Sequence, residues 1–412
     1  MYSSLVMLLG QAESGKSTLQ KQFQLYYSSQ SLDRERPLWR PIVYSNILKA
    51  LRMLMVELDR QYGAPPGSPS PEATPGSSPP TDSVIMAASA ISIDPRWPSD
   101  LLPLHATLAS LVAHEDALAS ELSGGIKVSR GQSGVYVRAG WQTLITPNRA
   151  WPLTDIRDSA DRPTTVTNQV GRTLCGSQGK IAEFWSHPMI RRIVSTKRVR
   201  LEESAAFFLD NIHRIAQTEY SPSTEDILHV RLQTLGVTEH SFDIDIGGIA
   251  FNWLLYDVGG ARHAWVPYFE DATAIIFLAP MSAFDQYLEE DPRVNRIDDS
   301  FQLFTAICQN KLLSKAALVL MLNKADLLRK KLETGTRVRK YISSYGDRPN
   351  TYEEVSEYFR AHFIQTHRRK DVSQRPLYTH FTSMLDIRAT QAIIVNVGES
   401  IMRLHMASVG LS

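Results

Sequence analysis

The sequence predicts an α/β fold: a six-stranded, mostly parallel sheet assembled from the two ends of the chain, with an all-helical domain inserted between them. Three observations predict it. An apolar, strand-sized run from Leu5 to Leu9 passes through Gly10-Gln11-Ala12-Glu13-Ser14-Gly15-Lys16-Ser17-Thr18 into a helical pattern that begins at Leu19. From Phe242 onward, short apolar runs alternate with helical patterns, the texture of buried parallel strands joined by crossovers. Between these two regions apolar residues recur mainly at helical spacing.

Each element has its own signal. Ile42, Ile47, Leu48, Leu51, Leu54, Met55 and Leu58 share one helical face. Residues 63 to 80 are rich in proline, glycine and serine and carry too little apolar surface to offset chain entropy, so a disordered loop is expected there. Leu101 to Leu122 is a second helical pattern. From 124 to 180 periodicity is poor, and an irregular insertion with a short strand at Val135 to Val137 is expected. Helical patterning returns at Ile181 to Phe184 and at Ala205 to Ile215, where Phe208, Leu209, Ile212 and Ile215 line one face. Phe242 to Ile246 and Ile249 to Tyr256 read as a hairpin turned at Gly247-Gly248. Ala274 to Leu278, Ala317 to Leu322 and Leu377 to Thr382 complete the strands, and Ile393, Ile394, Val397, Ile401 and Leu404 mark a closing helix. The expected domains are residues 1–30 with 222–412 for the sheet and 31–221 for the helical insert.

Composition narrows the function classes. The chain has 412 residues, 43% hydrophobic and 21% charged, enough for two or three domains. Lys+Arg 44 against Asp+Glu 43 leaves a formal net charge of +1, which offers no overall attraction to nucleic acid or an anionic membrane. Two cysteines, Cys175 and Cys308, exclude a disulfide framework and fit a reducing cytosol. No apolar run reaches the length of a membrane span, and Leu5 to Leu9 is too short for a signal peptide. Tyr2 follows Met1 and the last four residues hold no cysteine, so neither common lipid anchor is legible.

The chemistry is carried by short motifs. Gly10 to Thr18 fits GxxxxGK[ST], a loop whose backbone N–H groups curl around phosphate oxygens while the following helix points its positive end at them. Lys16 would reach the outer phosphates and Ser17 would ligate magnesium. Asp257-Val258-Gly259-Gly260 ends a strand, where the aspartate can hold magnesium through water and a glycine N–H can meet the terminal phosphate. In Asn323-Lys324-Ala325-Asp326 the last carboxylate can accept two hydrogen bonds from guanine, whereas adenine would leave it unpaired. Arg231 could neutralise charge on a transferring phosphoryl group, and Thr234, three residues on, could complete a magnesium shell.

Together these residues resemble the alpha subunits of heterotrimeric G proteins, over most of the chain. The likeness rests on the phosphate loop with Glu13-Ser14, Tyr44-Ser45-Asn46, Glu203 to Leu209, Arg214 to Gln217, Asp226 to Gly236, Asp257 to Gly260 and Asn323 to Asp326. The resemblance implies a Ras-like P-loop GTPase domain with a helical insert, binding GTP and GDP with Mg2+. It implies nucleotide contacts from Gly10, Glu13, Ser14, Gly15, Lys16, Ser17, Thr18, Ser204, Leu228, Arg231, Thr234, Asp257, Gly260, Asn323, Lys324, Asp326 and Met384, with Ser17 and Thr234 on the metal and Arg231 catalytic. A beta-gamma dimer and a G protein-coupled receptor at the C-terminal helix are the implied partners. The implied location is cytoplasmic, peripheral at the inner face of the plasma membrane.

Three departures from the family pattern stand out. Ala261 occupies the place of the glutamine that orients the attacking water, and a methyl group cannot hold a water. Thr382-Ser383-Met384 stands where the family has Thr-Cys-Ala. The chain starts almost at the first strand, so the family's amino-terminal helix is expected to be missing or to be encoded upstream. Two alternatives follow: a persistently GTP-loaded interaction protein with weak or no turnover, favoured by Ala261, and an unrelated phosphate-loop kinase or ATPase, disfavoured by Asn323 to Asp326.

Overall fold

The computed structural model describes residues 2–63, 97–123, 136–138, 163–196, 199, 201, 203–231, 233–235, 237–246, 249–258, 271–288 and 291–408. The expected disordered loop at 63–80 lies, beyond Gly63, outside the described residues. Contacts divide the chain into two units: 1–42 with 120–154 and 221–412, and 43–119 with 155–220.

The first unit holds the six-stranded sheet. Its strands are β1 (Tyr2–Gly10), β4 (Val237–Ile246), β5 (Ile249–Val258), β6 (Ala272–Pro280), β7 (Ala317–Asn323) and β8 (Leu377–Phe381). Their order is β4-β5-β1-β6-β7-β8, antiparallel between β4 and β5 and parallel elsewhere. The expected hairpin is therefore present, with Ile246 opposite Ile249. Every residue of β7 is buried, which is why this strand reads as an unbroken apolar run.

Pleating sends alternate side chains to opposite faces. Met7, Leu9, Ile275, Phe277, Leu318 and Leu320 face a core shared with Leu303, Phe304 and Ile307 of one helix and with Phe359 and Phe363 of another. Val6, Leu8, Ile276, Leu278, Val319 and Met321 join Leu19 and Phe23 of the helix after β1 and Ile394, Val397 and Ile401 of the closing helix. In chain order the helices of this unit used below are α1 (Lys16–Tyr27), α2 (Ser29–Glu35), α10 (Thr224–His229), α11 (Arg296–Gln309), α12 (Ala325–Glu333), α13 (Tyr352–Lys370) and α14 (Ile387–Ser408).

The second unit is helical. It draws on α3 (Arg40–Tyr62), α4 (Leu101–Val112), α5 (Glu115–Ser123), α6 (Pro163–Ser186), α7 (Pro188–Ser195), α8 (Glu203–Asp210) and α9 (Ile212–Ile215). Ile47, Leu48, Leu51, Leu54 and Leu58 of α3 are buried, as are Leu104, Leu108 and Leu111 of α4. Among the described residues no helix is long and apolar enough to cross a membrane.

Three expectations are corrected. Residues 163–180, read as irregular, are most of α6, a continuous 24-residue helix. Val170, Leu174, Ile181 and Phe184 are all buried along one stripe, and this burial overrides the roughly 1 kcal/mol that each glycine costs a helix. Gly171 lies close against Tyr44, where a Cβ would come within 3.2 Å of the hydroxyl and oblige it to shift. Residues 31–42, assigned to the helical insert, belong to the sheet unit: Gln24 donates to Glu35 at 2.9 Å, and Arg36 donates to the Pro222 carbonyl at 2.9 Å. Within 120–154, β2 (Tyr136–Arg138) forms a parallel pair with β3 (Gln233–Leu235), one residue later than the expected strand and with a partner that no local pattern names.

Candidate functional site

In an open parallel sheet, ligands bind outside the carboxyl ends of the strands where strand order reverses. Here β1 lies between β5 and β6, so the reversal falls at its carboxyl end, Gly10. Leu8 pairs with Asp257 and Gly10 with Leu278, and β7 ends at Asn323. The phosphate loop, Asp257 and Asn323 thus emerge at one edge.

The loop from Gly10 to Gly15 is held in a shape that needs its glycines. Gly10 has φ 144° and Gly15 φ 104°, both in the range that side chains disfavour. A Cβ on Gly10 would overlap the Leu278 carbonyl, and one on Gly15 would overlap the Asn323 amide. Glu13 takes φ 63° without being glycine, a strained conformation fixed by its neighbours. Ser14 is buried, Thr18 is half-buried, and Lys16 is the first residue of α1.

Lys16 donates from Nζ to the carbonyls of Gly10 and Gln11, each at 2.8 Å. Burial pushes its ammonium below the ordinary lysine range, against the pull of Asp257. A buried cation with carbonyl partners at a helix N-terminus suits phosphate oxygens. Ser17 Oγ donates to Asp257 Oδ2 at 2.7 Å, and Asp257 is 3% exposed. A hydroxyl and a carboxylate this close, at the phosphate edge, fit a hard divalent cation. Among the described residues no three His, Cys, Asp or Glu side chains converge, so phosphates or water would have to supply much of the coordination, as magnesium prefers.

Glu13 is the centre of a charge cluster. It accepts from Arg231 at 2.6 Å and from Arg296 at 2.7 Å. Burial alone would raise its pKa, but the guanidiniums of Arg296 and then Arg231 hold it down at about 2. Arg296, at the start of α11 and 4% exposed, also donates to the Ala12 carbonyl and to Gln286 at 3.2 Å. Gln11 donates to Asp299 of the same helix.

The turn that begins at Asn323 is knitted to the phosphate loop. Asn323 donates to the Ser14 carbonyl at 2.8 Å and accepts from Thr382 Oγ1 at 3.1 Å. Lys324, at φ 63°, caps α12, and Asp326 is exposed in its first turn. Met384 is buried in the same apolar cluster as Leu19, Leu278 and Met321, while its carbonyl accepts from Gln22 at 2.8 Å. The larger residue in place of alanine therefore turns inward and leaves the backbone of the 382–384 turn available. Leu228 is buried in α10 and lines, with Leu385 and Ile387, a hollow of about 350 Å³.

Of the other expected site residues, Ser204 is buried in α8 of the helical unit and Thr234 falls in β3. Gly260 and Ala261 lie outside the described residues. Sequence reasoning missed Arg296 and Asp299, and it named Thr382 only as part of the 382–384 turn, without its hydroxyl bond to Asn323. Arg296 binds a residue 283 positions away, and no local pattern signals such a pair.

The family described as G-alpha, G-protein alpha subunit, matches residues 3–401. The guanine nucleotide-binding protein alpha-4 subunit of Mycosarcoma maydis is 32% identical over 98% of this chain and 83% of that protein.

The chain belongs to the G-protein alpha subunit family. As a member of that family it is a guanine nucleotide-binding signalling switch and a GTPase, binding GTP and GDP. The six-stranded sheet with its long helical insert is the family's Ras-like domain and inserted domain.

Proposed function

We propose that Lys16 and the backbone of Gly10 to Thr18 hold the nucleotide phosphates and that Ser17 and Thr234 hold Mg2+, with Asp257 behind the metal. Arg231 neutralises charge that develops on the transferring phosphoryl group, a role known from G-protein alpha subunits themselves. Mg2+ when bound would draw charge from the phosphate oxygens. Asp326 selects guanine, and Lys324, Ser204, Leu228, Gly260 and Met384 line the nucleotide.

The observation that supports this reading is the 2.6 Å contact between Arg231 and Glu13, which places the guanidinium beside the phosphate loop. A beta-gamma dimer, a receptor at the closing helix and a peripheral membrane location are the partners and site of action we assign from the family.

Ala261 favours a second reading, a chain that stays GTP-loaded because no side chain orients the attacking water. Single-turnover GTP hydrolysis by the purified chain, beside Ala261→Gln and Arg231→Ala, separates them. Turnover that is lost in Arg231→Ala supports the first reading. Negligible turnover that Ala261→Gln restores supports the second.

A further inference from the structure

Lys21 is a buried cation of α1 that the nucleotide site does not use. It is 1% exposed, and its Nζ donates to the carbonyls of Ile227 at 2.7 Å and Val230 at 3.0 Å, with the Trp39 ring centroid at 4.8 Å. Two carbonyls and an aromatic face match the three N–H groups of an ammonium. Burial pushes its pKa down to about 7, against the upward pull of Asp257, a cost that an apolar side chain would avoid. The lysine is therefore explained by what its N–H groups hold.

They hold the end of α10. This helix has six residues, too short to persist by itself. Its start is fixed by a capping box between Ser223 and Asp226 and by Arg36, which donates to the Pro222 carbonyl at 2.9 Å and to Thr224 at 3.3 Å. Its end leaves carbonyls without helical partners, and Lys21 takes that of Ile227. The second carbonyl, Val230, immediately precedes Arg231.

We propose that Lys21 is a positioning residue for Arg231: by gripping the Ile227 and Val230 carbonyls it sets where the arginine leaves α10 and lets its guanidinium reach Glu13 and the phosphates. The proposal rests on the role given to Arg231 above. It joins α1, whose first residue is Lys16, to the arginine segment through side chains only five positions apart on one helix.

The test uses the full-length chain bound to GDP, with Lys21→Met, Lys21→Arg, Arg231→Ala and the double variant Lys21→Met/Arg231→Ala. In Lys21→Met, amide exchange across residues 224–233 should be about tenfold or more faster than in the unmodified chain, with β6 and β7 unchanged. Lys21→Arg should restore much of the protection. Unchanged exchange at 224–233, or equal acceleration in β6 and β7, would overturn the proposal. If Lys21→Met does not fold, Lys21→Gln keeps two N–H donors and should show a smaller acceleration confined to the same segment.

Single-turnover hydrolysis supplies the second readout. Lys21→Met should slow it about tenfold with GTP affinity preserved, and should add nothing to the loss in Arg231→Ala, because residues acting as one unit do not add. Additive losses would overturn the proposal. If Arg231→Ala turns over normally, the reading of Arg231 fails, and the exchange data still decide whether Lys21 holds the segment.

Discussion

Asn323 and Ser14, 309 positions apart, are joined by a hydrogen bond of 2.8 Å from the asparagine amide to the serine carbonyl. The same amide packs where a Cβ on Gly15 would lie, and its oxygen accepts from Thr382. One buried side chain therefore sets the distance between the turns at 323–326 and 382–384 and the phosphate loop.

Asn323→Ala should loosen both at once. It leaves the Ser14 carbonyl and the Thr382 hydroxyl without this partner at a cost of about 1–3 kcal/mol. We expect GDP to dissociate about tenfold or more faster, read with a fluorescent GDP analogue, and β7 to keep its amide protection.

Asp326→Ala should remove discrimination between bases more than affinity for phosphate. An aspartate that accepts two guanine N–H groups is worth about tenfold to a hundredfold in affinity. GTP binding should fall by that amount and ATP binding should not, in competition against a labelled nucleotide. A parallel loss for both would show that the residue merely supports α12.

The Glu13 cluster predicts an acid limb. Its folded pKa, held at about 2 below the ordinary 4.5, means that the ionised form stabilises the native state at pH above 4.5. That stabilisation, on the order of 3 kcal/mol, is lost as pH falls from 4.5 toward 2. Glu13→Gln should therefore be less stable than the unmodified chain at pH 6, and the gap should close by pH 2. Melting temperature against pH, measured for both, checks it.

In the helical unit, Trp97 Nε1 donates to the Gly63 carbonyl at 3.0 Å, and its ring lies 5.7 Å from that of Tyr62 and 5.0 Å from that of His105. Gly63 and Trp97, which flank 64–96, therefore meet at an aromatic clasp. Trp97→Phe, which keeps an aromatic ring but loses the N–H that Gly63 accepts, should lower the melting temperature by a few degrees, as the loss of one hydrogen bond of about 1 kcal/mol implies. Trp97→Ala should lower it further, because it also removes the ring contacts with Tyr62 and His105.

The strands were legible because their physics is local. β6 and β7 are buried on both faces and read as unbroken apolar runs, and the phosphate loop and Asn323 to Asp326 must be contiguous to do their chemistry. α6 was illegible through residue 180, since Gly171, Gly176 and Gly179 break its pattern and only burial against neighbouring helices restores it.

By itself the sequence determined the fold class and the class of nucleotide, because each of these depends on residue types at short spacing. Only the tertiary structure decided that Arg296 shares Glu13 with Arg231, that Lys21 grips the end of α10, that Met384 turns into the core, and that β2 pairs with β3. Those contacts join residues far apart in the chain. Packing and the pairing of buried charge select them, and neither leaves a trace in local pattern.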